Sequence, residues 1–101
     1  MEKKISAIDP HVEANVEAIR EYLCSQFKGF GLTDKPDAPH SHTFTMTRSA
    51  DEEYKLKVYW SQLSDRSETP ERTQQRLLAD DVAGRMKGKS QGEHFSWGKH
   101  Y

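Results

Sequence analysis

The chain predicts a small single α+β domain, ordered helix-strand-strand-helix, in which an antiparallel hairpin is covered on one face by two helices and a third strand is available from the C-terminal tail. Three observations predict it. Apolar residues recur at helical steps in two separate segments, each opened by a capping residue followed by proline. Between them, two short segments alternate apolar and polar residues, the period of a strand with one buried face. The length of 101 residues is near the commonest single-domain size and suffices to bury a core without staples. Residues 1–8 are expected to be a flexible N-terminus, 9–87 the domain, and 88–101 an aromatic and basic tail, partly ordered or forming an edge strand.

The first helix starts at Asp9-Pro10, because Asp can accept from the free N–H groups of a first turn and proline lacks only an N–H that would be unpaired there. Val12, Val16, Ile19, Leu23 and Phe27 then line one face. Gly29 and Gly31 permit the backbone turn that ends a helix, and Pro36 and Pro39 read as keeping residues 28–41 an irregular connection. In "HTFTMTR" Phe44 and Met46 alternate with threonines, and in "YKLKVYW" Tyr54, Leu56, Val58 and Trp60 alternate with Lys55, Lys57 and Tyr59. The short polar "RSADEE" between them predicts a hairpin, oily on one face and wet on the other.

Thr69-Pro70-Glu71 repeats the capping logic and opens a second helix. Its inward stripe is read as Leu78, Val82 and Met86 with Leu77 beside them, its polar first turns "ERTQQR" as projecting past the core, and Gly88 as its end. Phe95 and Trp97, at strand spacing, are expected to add an edge strand or lie against the body. A two-stranded sheet is marginal alone, so the hairpin needs both helices, a third strand or a second copy of the chain. The wall of Phe44, Met46, Leu56 and Val58 is expected to close against Val16, Ile19, Leu23 and Val82.

The element order is similar to that of double-stranded-RNA-binding domains in layout alone. The chain departs from that family in having only "SQLSDRSE" where a third strand would follow the hairpin, and a mixed-charge "TPERTQQR" where the family's second helix opens Lys-rich. No family is assigned on this basis.

Charge and composition narrow the functional classes. Fifteen Lys/Arg against sixteen Asp/Glu leave a net charge of −1, which excludes a general field for nucleic acid or anionic lipid and requires any such binding to use a local patch. No apolar run is long enough to span a bilayer, the N-terminal residues lack a signal-peptide core, and the lone Cys24 cannot form an internal disulfide. A cytoplasmic location without membrane attachment is expected. No catalytic constellation is present: Cys24 falls near a helix C-terminus, where the dipole disfavours a thiolate, and Asp80-Asp81 diverge by about 100° on a helix. The chain is therefore read as no enzyme, with no cofactor.

His40 and His42 share one side of a strand, the weak signature of a metal pair; the competing reading makes His42 the edge of the core and His40 part of the loop, and no metal is assigned. Glu13, Glu17 and Glu21 form a like-charge stripe relieved in part by Arg20, read first as a solvated face and second as a docking stripe for a basic partner. The leading expectation is a non-enzymatic protein-binding or regulatory module, homodimerisation included, whose contact surface is an exposed sheet face or edge with Lys55, Lys57, Tyr59, Phe95 and Trp97. The alternative is a nucleic-acid-binding module in which the hairpin cations combine with Arg85, Lys87, Lys89, Lys99 and Tyr101, cations meeting phosphate while rings stack on bases.

Overall fold

A computed structural model describes residues 10–37, 41–89 and 93–98. The architecture is α+β in two layers, with a four-stranded mixed sheet carrying all its helices on one face. The proposed Asp9 cap and residues 1–8 lie outside the described residues.

Helix α1 (Pro10–Gln26) buries Val12, Val16, Ile19 and Leu23, with Phe27 buried just past its end, the stripe that the spacing predicts, and adds Tyr22 to that face. Gly29, at φ +86°, turns the chain out of the helix. The segment read as irregular then departs from expectation: Gly31–Asp37 is strand β1, paired antiparallel with β2 (Ser41–Ser49). Pro36 is compatible with it because β1 is an edge strand, where a missing N–H need not interrupt a ladder on both sides. Strand β3 (Glu52–Tyr59) completes the predicted hairpin, with Phe44 opposite Leu56 and His42 opposite Val58. A register shift between Thr47 and Ser49 marks its turn end.

Trp60, read as the last strand residue, instead opens the short helix α2 (Trp60–Ser64). Thr69 caps α3 (Pro70–Ala79) as expected, its hydroxyl accepting from the Arg72 N–H at 3.2 Å. The predicted continuous second helix is broken at Asp80-Asp81. Asp81 takes a left-handed conformation, φ 50°, and its carboxylate accepts from the Gly84 N–H at 3.4 Å to start α4 (Val82–Lys87). The new axis interrupts the Leu78–Val82–Met86 stripe: Leu77, Val82 and Met86 are buried, whereas Leu78 is 62% exposed.

The polar opening of α3 does not project past the core either. Thr73 is buried and donates to Asn15 Oδ1 at 3.3 Å, and Gln74 donates to the Ala18 carbonyl at 3.2 Å. Asn15, fully buried, also donates to the carbonyls of Leu63 (3.0 Å) and Glu68 (2.7 Å), which pins the α2–α3 connection to the middle of α1. Tyr22 accepts from the Ala83 N–H at 3.0 Å and so satisfies a first-turn donor of α4.

The tail supplies β4 (His94–Trp97), which pairs parallel with β3. A parallel neighbour needs a crossover of about a dozen residues or more, and α2, α3 and α4 provide it. The wall of Phe44, Met46, Leu56 and Val58 and its cover of Val16, Ile19, Leu23 and Val82 are all buried in one cluster.

Candidate binding surface

Because strand side chains alternate, burying Phe44, Met46, Leu56 and Val58 obliges their neighbours to face away from the helices. The strand register arranges those neighbours in rows across the sheet. One row runs Thr33, Thr45, Lys55, His94; the next runs Lys35, Thr43, Lys57, Ser96. From these rows Lys35, Thr43, Thr45, Lys55, Lys57 and His94, with Glu53, line a shallow depression of about 360 Å³. Among the described residues no element covers this face: Thr33, Lys35, His94 and Ser96 are exposed, and Thr43, Thr45, Lys55 and Lys57 are half-buried by one another.

Three lysines on this surface stand against Glu53, which lies 3.9 Å from the Lys55 ammonium. Lys57 extends over the ring of Tyr59 at 5.9 Å, so the sequence-predicted Lys55, Lys57 and Tyr59 do meet on one surface. Lys35 and His94 join them and were missed from sequence. The alternation of "GLTDKPD" and "HFSW" holds the signal for both, but Pro36 argues against a strand in the first segment, and the neighbours of His94 depend on the pairing of β4 with β3.

Phe95 and Trp97 do not belong to that surface. Trp97 is buried, its indole N–H donating to Asp80 Oδ2 at 2.9 Å, and Phe95 is half-buried against the core. The rings fill the gap between β4 and the helices because their alternation matches that of Leu56 and Val58, with which they are in register. Arg85, Lys87 and Lys89 are exposed on the helical layer, behind the sheet: Arg85 Nε donates to the Asp80 carbonyl at 2.8 Å, and Lys87 lies 5.0 Å over the Phe27 ring. The structure thus separates the two basic patches that the nucleic-acid alternative combined. Lys99, Tyr101 and His40 lie outside the described residues.

His42 is buried where the competing reading placed it, at the edge of the core, its ring 4.9 Å from that of Phe44. Its Nε2 bonds Asp34 Oδ2 at 2.6 Å. Arg20 donates to both oxygens of the same carboxylate, Nε to Oδ1 at 3.0 Å and Nη2 to Oδ2 at 2.9 Å. Burial pushes the Asp34 carboxyl up, but its hydrogen bonds and ion pairing with Arg20 and His42 outweigh that and hold it below the ordinary carboxylate range. The Asp34 hydrogen bond in turn raises the Arg20 guanidinium further. This cluster ties α1 to β1 and β2, with Arg20 also reaching Glu13 and Glu17. Among the described residues no group of three or more His, Cys, Asp and Glu could hold a metal ion, and no helix is long and apolar enough to cross a membrane.

No protein-family model matches the chain, and neither does any curated protein or solved structure at a significant level.

Proposed function

We propose that this chain is a non-enzymatic binding module that holds an acidic segment of a partner protein against the open face of its sheet. The observation that carries this reading is the placement of Lys35, Lys55 and Lys57 in two adjacent rows over a threonine floor, uncovered, while the helices occupy the other face. Threonine hydroxyls between the ammonium groups can donate to carboxylates or accept from backbone N–H groups of a bound segment. A protein partner is favoured over single-stranded nucleic acid because stacking successive bases needs several accessible rings: Trp97 and Phe95 are turned toward the core, and the Tyr59 ring that stays on this surface lies under Lys57. Binding is favoured over catalysis because Asp34 and His42 are committed to the cluster with Arg20, and Glu68 is buried under Arg76 at 2.7 Å. A cytoplasmic location is part of this reading, in keeping with a single exposed cysteine, Cys24, that has no second cysteine in the chain to pair with.

Fluorescence anisotropy with a labelled Glu-rich peptide and, separately, a labelled single-stranded oligonucleotide tests this. The peptide should bind, more weakly as salt rises, and Lys55→Glu with Lys57→Glu should reduce its affinity about tenfold or more, the scale of several ion pairs reversed. Peptide binding that is indifferent to this double variant overturns the assignment. Oligonucleotide binding lost through Lys87→Glu with Lys89→Glu would instead establish the helical-side patch as the functional one.

A further inference from the structure

The open sheet face has a counterpart of opposite sign on the same molecule. Glu13, Glu17 and Glu21 follow one another along the exposed side of α1, and Glu71 stands across from them at the start of α3. Between the two helices runs a groove whose floor is the small side chains of Ala14 and Ala18 and whose walls include Glu17, Glu21 and Glu71. Arg20 offsets this charge only in part, since its guanidinium is shared among Glu13, Glu17 and Asp34. Arg72 and Arg76 lie along a separate depression on the other flank of α3. The groove is on the outer surface of the helical layer, so it and the lysine face look in opposite directions.

The spacings of the two surfaces also agree. Glutamates four apart on a helix are separated by about 6 Å along its axis, and Lys55 and Lys57, two apart on a strand, by about 6.6 Å. Across the elements, Lys35 and Lys57 lie in one row with β2 between them, about 9.6 Å, while packed helices such as α1 and α3 are about 8–10 Å apart. Three lysines on the sheet face and three glutamates along the groove are thus spaced on comparable scales.

Resting on the proposed role of the sheet face, we infer that its acidic partner is a second copy of this chain, which presents the α1–α3 groove to the lysines. Each face complements the other and not itself, so the contact is head-to-tail. Such a contact leaves one sheet face and one groove free in every dimer and continues into rings or open chains. A net charge of −1 raises almost no long-range repulsion against this, because the charge is divided between two faces and is not in excess.

Sedimentation velocity on the whole chain tests the inference. The wild-type protein should gain mass with concentration beyond that of a dimer and revert to monomer as salt rises. A sheet variant, Lys35→Glu with Lys55→Glu and Lys57→Glu, and a helix variant, Glu17→Lys with Glu21→Lys and Glu71→Lys, should each stay monomeric alone. Mixed in equal amounts they should assemble again beyond a dimer, since the unaltered groove of one meets the unaltered sheet face of the other and the two reversed faces are again opposite in sign. Circular dichroism checks that both are folded, and the milder Lys55→Gln and Glu21→Gln, each expected to weaken association several-fold, serve if either is not. A wild-type chain that is monomeric at every concentration and low salt overturns the inference, as does assembly undiminished in either variant. If that monomeric chain still binds the Glu-rich peptide through Lys55 and Lys57, the sheet face stands as a docking surface for a different acidic protein; if it binds neither, both readings fall.

Discussion

Replacing Trp97 measures whether the tail is part of the core or part of a contact surface. The ring is 7% exposed, sits opposite Val58 in the parallel pair, and anchors its N–H on Asp80 at 2.9 Å. Truncating a buried aromatic to alanine costs about 3–5 kcal/mol through lost transfer energy and the cavity left behind. A domain of this size melts about 4–8 °C lower per kcal/mol, so Trp97→Ala should lower the thermal midpoint by roughly 20 °C. Trp97→Phe keeps most of the apolar volume and loses the hydrogen bond to a partly exposed carboxylate, about 1–2 kcal/mol, and should fall by roughly 5–10 °C. Asp80→Ala removes the same bond from its other end, so the double variant with Trp97→Phe should lose less than the sum of the two. Melting followed by circular dichroism gives the midpoints. A Trp97→Ala midpoint within about 2 °C of wild type would refute the core assignment and return the ring to the surface.

Two further predictions concern groups that the packing holds. Asn15→Ala removes the donor to the Leu63 and Glu68 carbonyls and the acceptor of Thr73 in a fully buried site, and should cost about 3–5 kcal/mol, read as a lower urea midpoint at unchanged slope. An unchanged midpoint would show that the α2–α3 connection is held elsewhere. Because the folded-state Asp34 carboxyl is held below its unfolded value of about 3.9, its contribution to stability is present above that pH and is lost as pH falls through the lower folded value. Asp34→Asn should therefore be less stable than wild type near neutrality and show a shallower decline in acid, measured by denaturant melts at stepped pH; parallel profiles would contradict the Arg20–Asp34–His42 linkage.

Local patterns carried much of this fold. The α1 stripe, the Thr69 cap and the alternation of β2 and β3 are properties of neighbouring residues, and each element forms where its period predicts. The errors fell where a residue's meaning depends on what lies beside it in space. Pro36 breaks a central strand but is tolerated on an edge, and only the sheet order shows that β1 is an edge. Leu78 continues a helical stripe only if the helix is continuous, and the left-handed turn at Asp81 ends it. The polar turns of α3 looked solvated because their partner, Asn15, is distant in sequence.

By itself the sequence determined the α+β class, the wall of Phe44, Met46, Leu56 and Val58, and the outward direction of Lys55 and Lys57, since all of these follow from periodicity along a few residues. Tertiary structure alone decided that Lys35 and His94 join those lysines, that Phe95 and Trp97 leave them, and that the acidic side of α1 looks away from them. Strand order, parallel pairing and the buried Asn15 and Asp34 partnerships are long-range choices, settled by which surfaces exclude water from one another, and no local pattern encodes them.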